Sequence, residues 1–188
     1  MVVRWPDNLR YNGRRMTADQ FLGLPETREQ YELVDGVMIV SPSATWGHQR
    51  IASEVLFQLR QFLESTPIGE AVGDVDVRLR DDLVLRPDVV FLSSAKAARV
   101  ASYIAEPPDL VVEIVSPGAA QRDLHDKKHD YETAGVAEYW VIDPEAGETH
   151  FFALESGRFV ALRPVGDKLS SRAVQGFDLR LDRVRGLF

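Results

Sequence analysis

Apolar and polar residues recur along this chain with spacings that predict several helices. Thr17, followed three residues later by Gln20, is typical of a helix N-cap with a capping box, and predicts a short helix ending near Leu22. Between residues 46 and 64, apolar side chains recur every three or four positions, which predicts an amphipathic helix of about five turns. Residues 121–134 predict a further helix, whose alternating charges indicate a mostly solvated face.

Strand patterns occupy most of the chain between these helices. Residues 31–40 form two apolar runs around Asp35-Gly36, a dipeptide that strongly favours a β-hairpin turn. Residues 71–80 alternate sharply between apolar and charged side chains, and we expect them to pair with 83–92 as neighbours in one antiparallel ladder. Further apolar runs predict strands at 110–115, 139–142, 150–154 and 158–162, and a last strand or turn within 175–188.

The order of these elements and the size of the chain predict one domain. The 188 residues fit a domain of ordinary size, and the hydrophobic content of 45% is sufficient for a large core. No internal repeat, low-complexity segment or linker divides the sequence. We therefore expect a single α/β domain over residues 1–188, built on a central mixed β-sheet.

Composition and charge narrow the range of functions. The formal net charge of −7 counts against a general affinity for nucleic acid, so any nucleic-acid-binding surface must depend on local basic residues. The chain contains no cysteine, which excludes disulfides and thiolate chemistry and is compatible with a reducing cytoplasm. No apolar run approaches the roughly 18 residues needed to span a bilayer, and the first residues lack a signal-peptide pattern. We expect a cytoplasmic protein without membrane contact.

Two acidic residues interrupt strands that are otherwise apolar. Asp88 lies within 83–92, and Glu113 lies within 110–115. A carboxylate in a core-like strand costs free energy unless a cation, hydrogen bonds or water compensate it. Magnesium prefers oxygen ligands and is usually bound through one or two carboxylates, and acids on adjacent strands can face one cleft. With a lysine nearby to orient water or stabilise phosphate charge, the pattern predicts a metal-dependent phosphodiesterase site.

Several short segments, in this order and spacing, resemble a known family. They are Y-E-L-V-D-G at 31–36, R-P-D at 86–88, V-E-I-V-S-P at 112–117 and G-V-A-E-Y-W-V-I-D-P at 135–144. Together they resemble the large bacterial Uma family of restriction-endonuclease-like proteins, within the PD-(D/E)XK nuclease superfamily. The resemblance covers about residues 17–162. It implies a restriction-endonuclease-like α/β fold in which helices flank a mixed β-sheet.

The resemblance also implies a function and a set of site residues. Asp88 and Glu113 match the metal ligands, with the backbone carbonyl of Ile114 as a third ligand, and the implied cofactor is Mg²⁺ or Mn²⁺. The superfamily pattern places a lysine two residues after the second acid, where this chain has Val115. Lys127 on the following helix is expected to take its place. The implied activity is that of a metal-dependent DNA endonuclease, and a homodimer is expected because cutting two strands requires two sites.

Other residues near these segments are candidates for supporting roles. His48 is a candidate for positioning the substrate or a site carboxylate, and Glu32 for completing a carboxylate cluster. Tyr131 and Trp140 are expected in the core. Phosphate contacts are expected from four arginines, Arg78, Arg80, Arg86 and Arg122.

Alternative interpretations of the same residues stay open from the sequence. Glu113 can form a structural salt bridge, with Arg86 or Lys127 as the candidate partner. Asp88 can be a strand-end acid that is hydrogen-bonded to the backbone, and Asp123 can be a helix N-terminal acid favoured by the helix dipole. The acidic balance and the missing strand lysine also favour a different class of function, a non-catalytic nucleic-acid-binding or scaffolding protein that keeps the nuclease fold.

Overall fold

The structure is a computed structural model that describes residues 11–25, 29–41 and 44–188. Over these residues the α-helices are α1 (Ala18–Leu22), α2 (Trp46–Ser65), α3 (Ser94–Ala97), α4 (Lys128–Ala134) and α5 (Leu181–Arg185). A π-helical segment, Arg122–Lys127, leads directly into α4. The strands are β1 (Tyr31–Val34), β2 (Val37–Val40), β3 (Gly69–Val72), β4 (Val77–Arg80), β5 (Leu83–Leu85), β6 (Val89–Ser93), β7 (Leu110–Ile114), β8 (Glu138–Asp143), β9 (Glu148–Glu155), β10 (Arg158–Ala161), β11 (Lys168–Ser170) and β12 (Asp178–Arg180).

The strands form two sheets and a separate hairpin. The larger sheet has six strands in the order β10-β9-β8-β7-β6-β3, and it is mixed because β7 and β8 run parallel while the other neighbours are antiparallel. The second sheet has the order β2-β1-β5-β4 and is antiparallel throughout. Strands β11 and β12 form a separate two-stranded antiparallel sheet. The mixed sheet with its helices confirms the predicted fold class.

Several of these elements were predicted correctly from local signals in the sequence. The side chain of Thr17 accepts a hydrogen bond from the backbone N–H of Gln20, whose own side chain accepts one from Thr17, so the capping box is present. Asp35 and Gly36 have φ values of 49° and 72°, the left-handed conformation that a two-residue hairpin turn requires. Helix α2 forms over nearly the predicted range. No helix in the described part of the chain has the length and apolar character needed to cross a membrane.

The expected continuous ladder between residues 71–80 and 83–92 is wrong. Each range is divided between the two sheets, because β3 pairs with β6 in the larger sheet while β4 pairs with β5 in the smaller one. Asp74 adopts a φ of 53°, which breaks the first strand. In the second, Pro87 lacks the backbone N–H that a ladder needs. Gly73 permits a close approach at this crossover, since a Cβ there would lie 2.7 Å from the Asp88 carbonyl oxygen. Asp88 is thus placed at the crossover, directly before β6.

Alternation along the central strands creates a core on each face of the larger sheet. On one face, the even-numbered residues of β7 pack with the apolar side of α2 and with α5. On the other face, Val111 and Val115 pack beneath the π-helical segment and α4, together with Tyr131 and Tyr139. Glu113 lies between Val111 and Val115 on this second face. The strand therefore turns one carboxylate towards the helix that carries Lys127.

Glu138, at the start of β8, is a fully buried carboxylate that joins the chain after β10 to the sheet. Its oxygens accept hydrogen bonds from Trp140 Nε1 at 2.7 Å, Ser171 Oγ at 2.9 Å, and the backbone N–H groups of Arg172 at 2.8 Å and Ala173 at 2.7 Å. Four buried or partly buried donors thus depend on one side chain. This arrangement makes Glu138 a structural residue.

We expect Glu138→Ala to lower the free energy of unfolding by about 3–5 kcal/mol, because its donors would be buried without partners. Urea unfolding followed by circular dichroism measures the change. Ser171→Ala is the control, since it removes one donor to Glu138 and the acceptor of the Val174 N–H, and should cost about 1–2 kcal/mol. Equal losses in the two variants would show that Glu138 does not organise this segment.

Candidate functional site

A cleft of about 80 Å³ lies between β1 of the smaller sheet, β7 of the larger sheet and the π-helical segment. The N-terminal turn of α2 and the crossover before β6 complete its walls. All but two of the residues predicted for the site line it, namely Glu32, His48, Arg86, Asp88, Glu113, Ile114, Arg122 and Lys127. The structure therefore gathers into one place residues that are widely separated in the sequence.

Asp88 is held beside β7 by two contacts of its carboxylate. Its Oδ2 accepts a hydrogen bond of 2.7 Å from the backbone N–H of Ile114 and lies 3.2 Å from His48 Nε2. His48 is positioned by the start of α2, where Thr45 caps the helix by accepting a hydrogen bond from the His48 N–H. One carboxylate oxygen is thus occupied by the protein. The backbone contact is also the one expected for a structural strand-end acid.

Glu113 is only 3% exposed and makes two hydrogen bonds through the same oxygen. Its Oε1 lies 2.9 Å from Lys127 Nζ and accepts a hydrogen bond of 2.8 Å from the Tyr131 hydroxyl. Lys127 therefore reaches the acid from the helix that follows β7, while Val115 is buried in the core. A catalytic role and a structural salt bridge both predict this contact between Lys127 and Glu113. The catalytic role of Lys127 therefore stays a prediction.

Lys127 also links the two sheets through a second group of charges. Its Nζ lies 3.5 Å from Oε1 of Glu32, on β1, and 3.6 Å from Oδ1 of Asp123. Glu32 is in turn ion-paired with Arg122 and accepts a hydrogen bond of 3.2 Å from the backbone N–H of Arg86. One buried ammonium group is therefore shared by three carboxylates, two of which belong to different sheets.

The π-helical segment brings Arg122, Asp123 and Lys127 to the cleft together. A π-helix has a wider turn than an α-helix, and its i→i+5 hydrogen bonds occur frequently at functional sites. The carbonyl of Asp123 accepts a hydrogen bond of 2.9 Å from the Tyr139 hydroxyl, which supports the widened turn from the sheet below. The sequence predicts a continuous helix over 121–134, and nothing in its apolar spacing distinguishes the π-helical turns from α-helical ones.

The electrostatics of the cleft favour a protonated Glu113. Burial raises its pKa, Lys127 opposes this, and the neighbouring carboxylates of Asp88, Asp123 and Glu32 raise it further, to about 8. Burial likewise raises the pKa of Asp123, with Asp88 and Glu32 adding to the shift while Lys127 opposes it. The cleft therefore holds more negative charge than its own cations neutralise.

The carboxylates of the cleft raise the pKa values of its basic groups. Burial alone lowers the pKa of Lys127, but the carboxylates of Glu113, Glu32 and Asp123 outweigh burial and raise it above its usual range. Burial also lowers the pKa of His48, and the hydrogen bond and charge of Asp88 reverse this to a net increase. Lys127 is consequently a hydrogen-bond donor, since it cannot act as a base near neutral pH.

The raised pKa of Glu113 predicts a pH-dependent stability. An unfolded glutamate titrates near about 4.3, so between that value and about 8 the folded protein binds the extra proton. Its contribution to stability is full below about pH 4.3 and is lost as the pH rises towards 8. The wild type should lose this stability as the pH rises from about 5 to 8, whereas Glu113→Gln should not. We therefore expect the melting temperature of Glu113→Gln minus that of the wild type, both measured in EDTA, to increase over this range. Glu64→Gln, on the outer surface of α2, is the control. A difference in melting temperature between the wild type and Glu113→Gln that does not change with pH would contradict the assignment.

The donor groups of the cleft fit a divalent cation by charge and by chemistry. The lining contains five carboxylates, those of Glu32, Asp74, Asp88, Glu113 and Asp123, and three cations, those of Arg86, Arg122 and Lys127. Two negative charges are therefore uncompensated when all of these groups are ionised. Carboxylate oxygens are the ligands that Mg²⁺ and Mn²⁺ prefer. Across the described ranges, no three His, Asp or Glu side chains form a ready-made metal site. The fit therefore depends on the two predicted acids, with water and backbone oxygen as further ligands.

The structure does not bring Arg78 and Arg80 into the cleft. Arg78 pairs at 2.7 Å with each of two surface acids, Asp19 and Asp81. Arg80 pairs with three carboxylates at 2.9–3.3 Å, those of Asp35, Asp82 and Asp130. Their guanidinium groups join α1, the first hairpin and α4 at the surface. Of the four arginines predicted to contact phosphate, only Arg86 and Arg122 line the cleft.

Asp123, which lines the cleft, and Tyr131, which lies behind Glu113, have roles that the sequence alone did not assign. Tyr131 is buried as predicted, but its hydroxyl binds Glu113. Asp123, expected at a solvated helix N-terminus, is buried beside Lys127. Asp123, Lys127 and Tyr131 recur every four residues, so they form a polar stripe on one side of the helix. That spacing is the signal that identifies them. Trp140 is a core residue, as predicted, and packs edge-on against Phe151.

Comparisons with known proteins agree with this fold. A family model described as "Uma2: Putative restriction endonuclease" matches residues 18–182. A crystal structure of a "putative nuclease belonging to DUF820" from Anabaena variabilis ATCC 29413 is 21% identical, with a TM-score of 0.76 over 92% of this chain and 98% of that chain. The type IIG restriction endonuclease BpuSI is 13% identical, with a TM-score of 0.43 over 78% of this chain and 16% of that chain. A comparison with curated proteins finds no match.

The family match extends beyond the range expected from the sequence. It ends at residue 182 rather than near 162, so it includes the β11–β12 hairpin that Glu138 helps to fix to the sheet. The predicted resemblance and the nuclease-like fold are both confirmed. Because the family model matches most of this chain, the chain belongs to the Uma2 family of restriction-endonuclease-like proteins.

Proposed function

We propose that this protein is a metal-dependent DNA endonuclease that hydrolyses phosphodiester bonds in the acidic cleft. The observation that supports it most is that Asp88, Glu113 and Lys127 meet in one cleft whose carboxylates outnumber its cations. Asp88, Glu113 and the carbonyl of Ile114 would hold Mg²⁺ or Mn²⁺. When bound, such an ion supplies Lewis-acid activation of water and screening of the phosphate charge.

Lys127 is the residue proposed to act on the reacting groups. Its ammonium lies 2.9 Å from Glu113 Oε1 and stays protonated, so it can donate hydrogen bonds to an attacking water or to a phosphate oxygen. Because it holds its protons, Lys127 orients water or stabilises charge and does not remove a proton. Glu113 binds this ammonium directly, and the Tyr131 hydroxyl in turn holds Glu113.

The other cleft residues are proposed to position these groups and the substrate. His48 orients the Asp88 carboxylate through their 3.2 Å contact, and Glu32 holds Lys127 and Arg122 in place. Arg86 and Arg122 line the cleft and supply the local positive charge that an acidic protein needs to bind DNA phosphates. A homodimer of such single-domain subunits would provide one cleft for each DNA strand.

A test combines plasmid cleavage with calorimetric metal titration. Supercoiled plasmid should be nicked in Mg²⁺ or Mn²⁺ and stay intact in EDTA. The titration should show heat of divalent-ion binding for the wild type and none for Glu113→Gln, whose amide is isosteric but uncharged. Nicking that persists in EDTA, or an unchanged binding isotherm in Glu113→Gln, would refute the proposal.

A second candidate function is a non-catalytic DNA-binding or scaffolding protein. The specific observation in its favour is that Glu113 already has protein partners, because Lys127 and Tyr131 both bind the same oxygen of its carboxyl group. This function requires no divalent ion. DNA binding with no metal-binding heat and no cleavage in any divalent metal would therefore support it over the nuclease.

A further inference from the structure

The solvent-facing side of α2 carries five exposed side chains in a symmetric order. They are Arg50, Ser53, Phe57, Gln61 and Glu64, and we call them the α2 stripe. The intervals between them are three, four, four and three residues, so all five lie on one face of the helix. The stripe therefore extends equally far on both sides of its central residue, with a positive charge at one end and a negative charge at the other.

Phe57 is the apolar centre of the stripe, and it is 49% exposed. The guanidinium of Arg183, on α5, lies 5.4 Å from the centre of the ring and leaves half of the residue open to solvent. A groove of about 360 Å³ borders the ring, and it is lined by six residues of α2, Ser53, Leu56, Phe57, Arg60, Gln61 and Glu64. Residues with these spacings form the holes into which side chains of a facing helix insert. The stripe is therefore shaped to receive a second helix.

The two ends of the stripe carry charges that are not neutralised locally. Within the described ranges neither Arg50 nor Glu64 forms an ion pair, whereas nearby Glu54 pairs with Arg183 at 2.7 Å. Arg50 and Glu64 lie seven residues before and after Phe57, which is about 10 Å along the helix in each direction. If a second α2 ran antiparallel across a two-fold axis at Phe57, each Arg50 would therefore face Glu64 of the partner subunit.

We propose that the α2 stripe is the contact surface of a homodimer, in which two copies of α2 pack antiparallel about a two-fold axis at Phe57. A two-fold contact requires a surface that is complementary to itself. The stripe meets this requirement, because the axis brings the two Phe57 rings together and forms two Arg50–Glu64 pairs. Ser53 then faces Gln61, which can donate a hydrogen bond to its hydroxyl.

The charge of the whole chain favours a second copy as the partner only if the contact is complementary. Copies with a net charge of −7 repel each other unless the contact surface offsets that charge. The mirrored charges of the stripe provide this offset for a second copy, whereas a helix of another protein is not required to match them. Two helices in contact over about 20 Å bury less than the roughly 1,200 Å² of stable complexes, so we expect the association to be reversible.

The biological meaning of this inference rests on the proposed function, which expects a homodimer, but association is measurable without cleavage. His48, which lines the cleft, lies nine residues before Phe57, or about two and a half helical turns. Its buried side chain is therefore on the opposite side of α2 from the stripe. Pairing through the stripe would leave both clefts open, with the two copies of His48 about 27 Å apart along the paired helices.

Sedimentation velocity between about 1 and 200 µM protein measures the association. The wild type should form dimers reversibly. Phe57→Glu, Arg50→Glu and Glu64→Arg should each raise the dissociation constant by about tenfold or more, because each brings like charges together across the axis. The double variant Arg50→Glu/Glu64→Arg exchanges the charges of both pairs and should recover the wild-type dissociation constant to within about threefold. Arg163→Glu, at an exposed position after β10, is the matched control and should change it by less than about twofold.

Three results would overturn the proposal. They are a wild type that stays monomeric at every concentration, a Phe57→Glu variant that is folded by circular dichroism and still dimerises normally, and a double charge exchange that recovers no affinity. The fully exposed Arg50→Glu change provides the same test if Phe57→Glu proves poorly folded. Because these readouts follow mass alone, their failure is distinct from a failure of metal-dependent nicking.

Cross-linking tests the orientation of the two helices. The sequence contains no cysteine, so Ser53→Cys and Gln61→Cys each introduce the only thiol. Ser53 faces Gln61 in the antiparallel dimer, whereas the two copies of Ser53 lie about 12 Å apart along the helices. A short bis-maleimide added to a mixture of the two variants, one carrying a larger tag, should therefore yield mainly the mixed product. A mixture that yields mainly each variant joined to itself would overturn the antiparallel pairing.

Discussion

Replacing Asp88 with asparagine is expected to lower the rate of metal-dependent plasmid nicking by about a thousandfold or more. The amide oxygen can still accept the hydrogen bond from Ile114, so the crossover before β6 should keep its shape. What is lost is the negative charge at the proposed metal site. Electrostatic stabilisation by a bound metal contributes several kcal/mol to phosphoryl chemistry, and about 4 kcal/mol corresponds to a thousandfold in rate. The measurement is the rate of conversion of supercoiled to nicked plasmid with enzyme in excess.

Asp126→Asn is the matched control for this experiment. Asp126 is exposed in the same π-helical segment as Lys127 and does not line the cleft, so the substitution makes the same charge change at the surface. Its nicking rate should stay within about twofold of the wild type. If Asp88→Asn nicked as fast as this control, Asp88 would not be a metal ligand.

Replacing Lys127 with methionine is expected to reduce both stability and activity. Its ammonium compensates the carboxylates of Glu113, Glu32 and Asp123, and removing one partner of a buried ion pair typically costs about 3–5 kcal/mol. The loss of a preorganised donor to the phosphate or water should also slow nicking by about a hundredfold or more. Urea unfolding in EDTA and plasmid nicking in Mg²⁺ measure the two effects separately.

A double substitution identifies which charge makes the Lys127 change costly. At about pH 9, above the Glu113 pKa of about 8, Glu113→Gln added to Lys127→Met removes a carboxylate that has lost its cation. The double variant should then be more stable than the two single losses predict, by about 1–3 kcal/mol. Lys128→Met is the control. Its ammonium lies 4.0 Å from the centre of the half-buried Phe152 ring. This cation–π contact should contribute only about 0.5–1 kcal/mol to stability. Additive losses in the double variant would mean that the 2.9 Å contact carries little interaction energy.

The acidic pair and much of the fold follow from local patterns in the sequence. A single carboxylate in an apolar strand, as in 110–115, must find compensation, and strand alternation fixes which face it occupies. The capping box at Thr17 and the turn at Asp35-Gly36 depend on residues only a few positions apart. Such short-range signals are legible because the interacting groups are neighbours in the chain.

The features that were not predicted depend on partners far away in the sequence. Arg122 and Glu32 are 90 residues apart and form an ion pair. The spacing of the apolar residues around them carries no information about that contact. The division of 71–80 and 83–92 between two sheets depends on the positive φ of Asp74 and on the close approach of Gly73 to Asp88, both of which follow from tertiary packing. The π-helical turns likewise cannot be distinguished from α-helical ones by apolar periodicity.

The sharing of Lys127 between acids of two different sheets has a consequence for folding kinetics. Glu32 and Glu113 are 81 positions apart, and the ammonium meets both only after the sheets have formed and the helix has docked between them. Contacts between distant segments form late because loop closure opposes them. Under the proposed function, uptake of Mn²⁺ during refolding should therefore lag behind the circular dichroism signal. The ion would then serve as a kinetic marker of completed tertiary assembly.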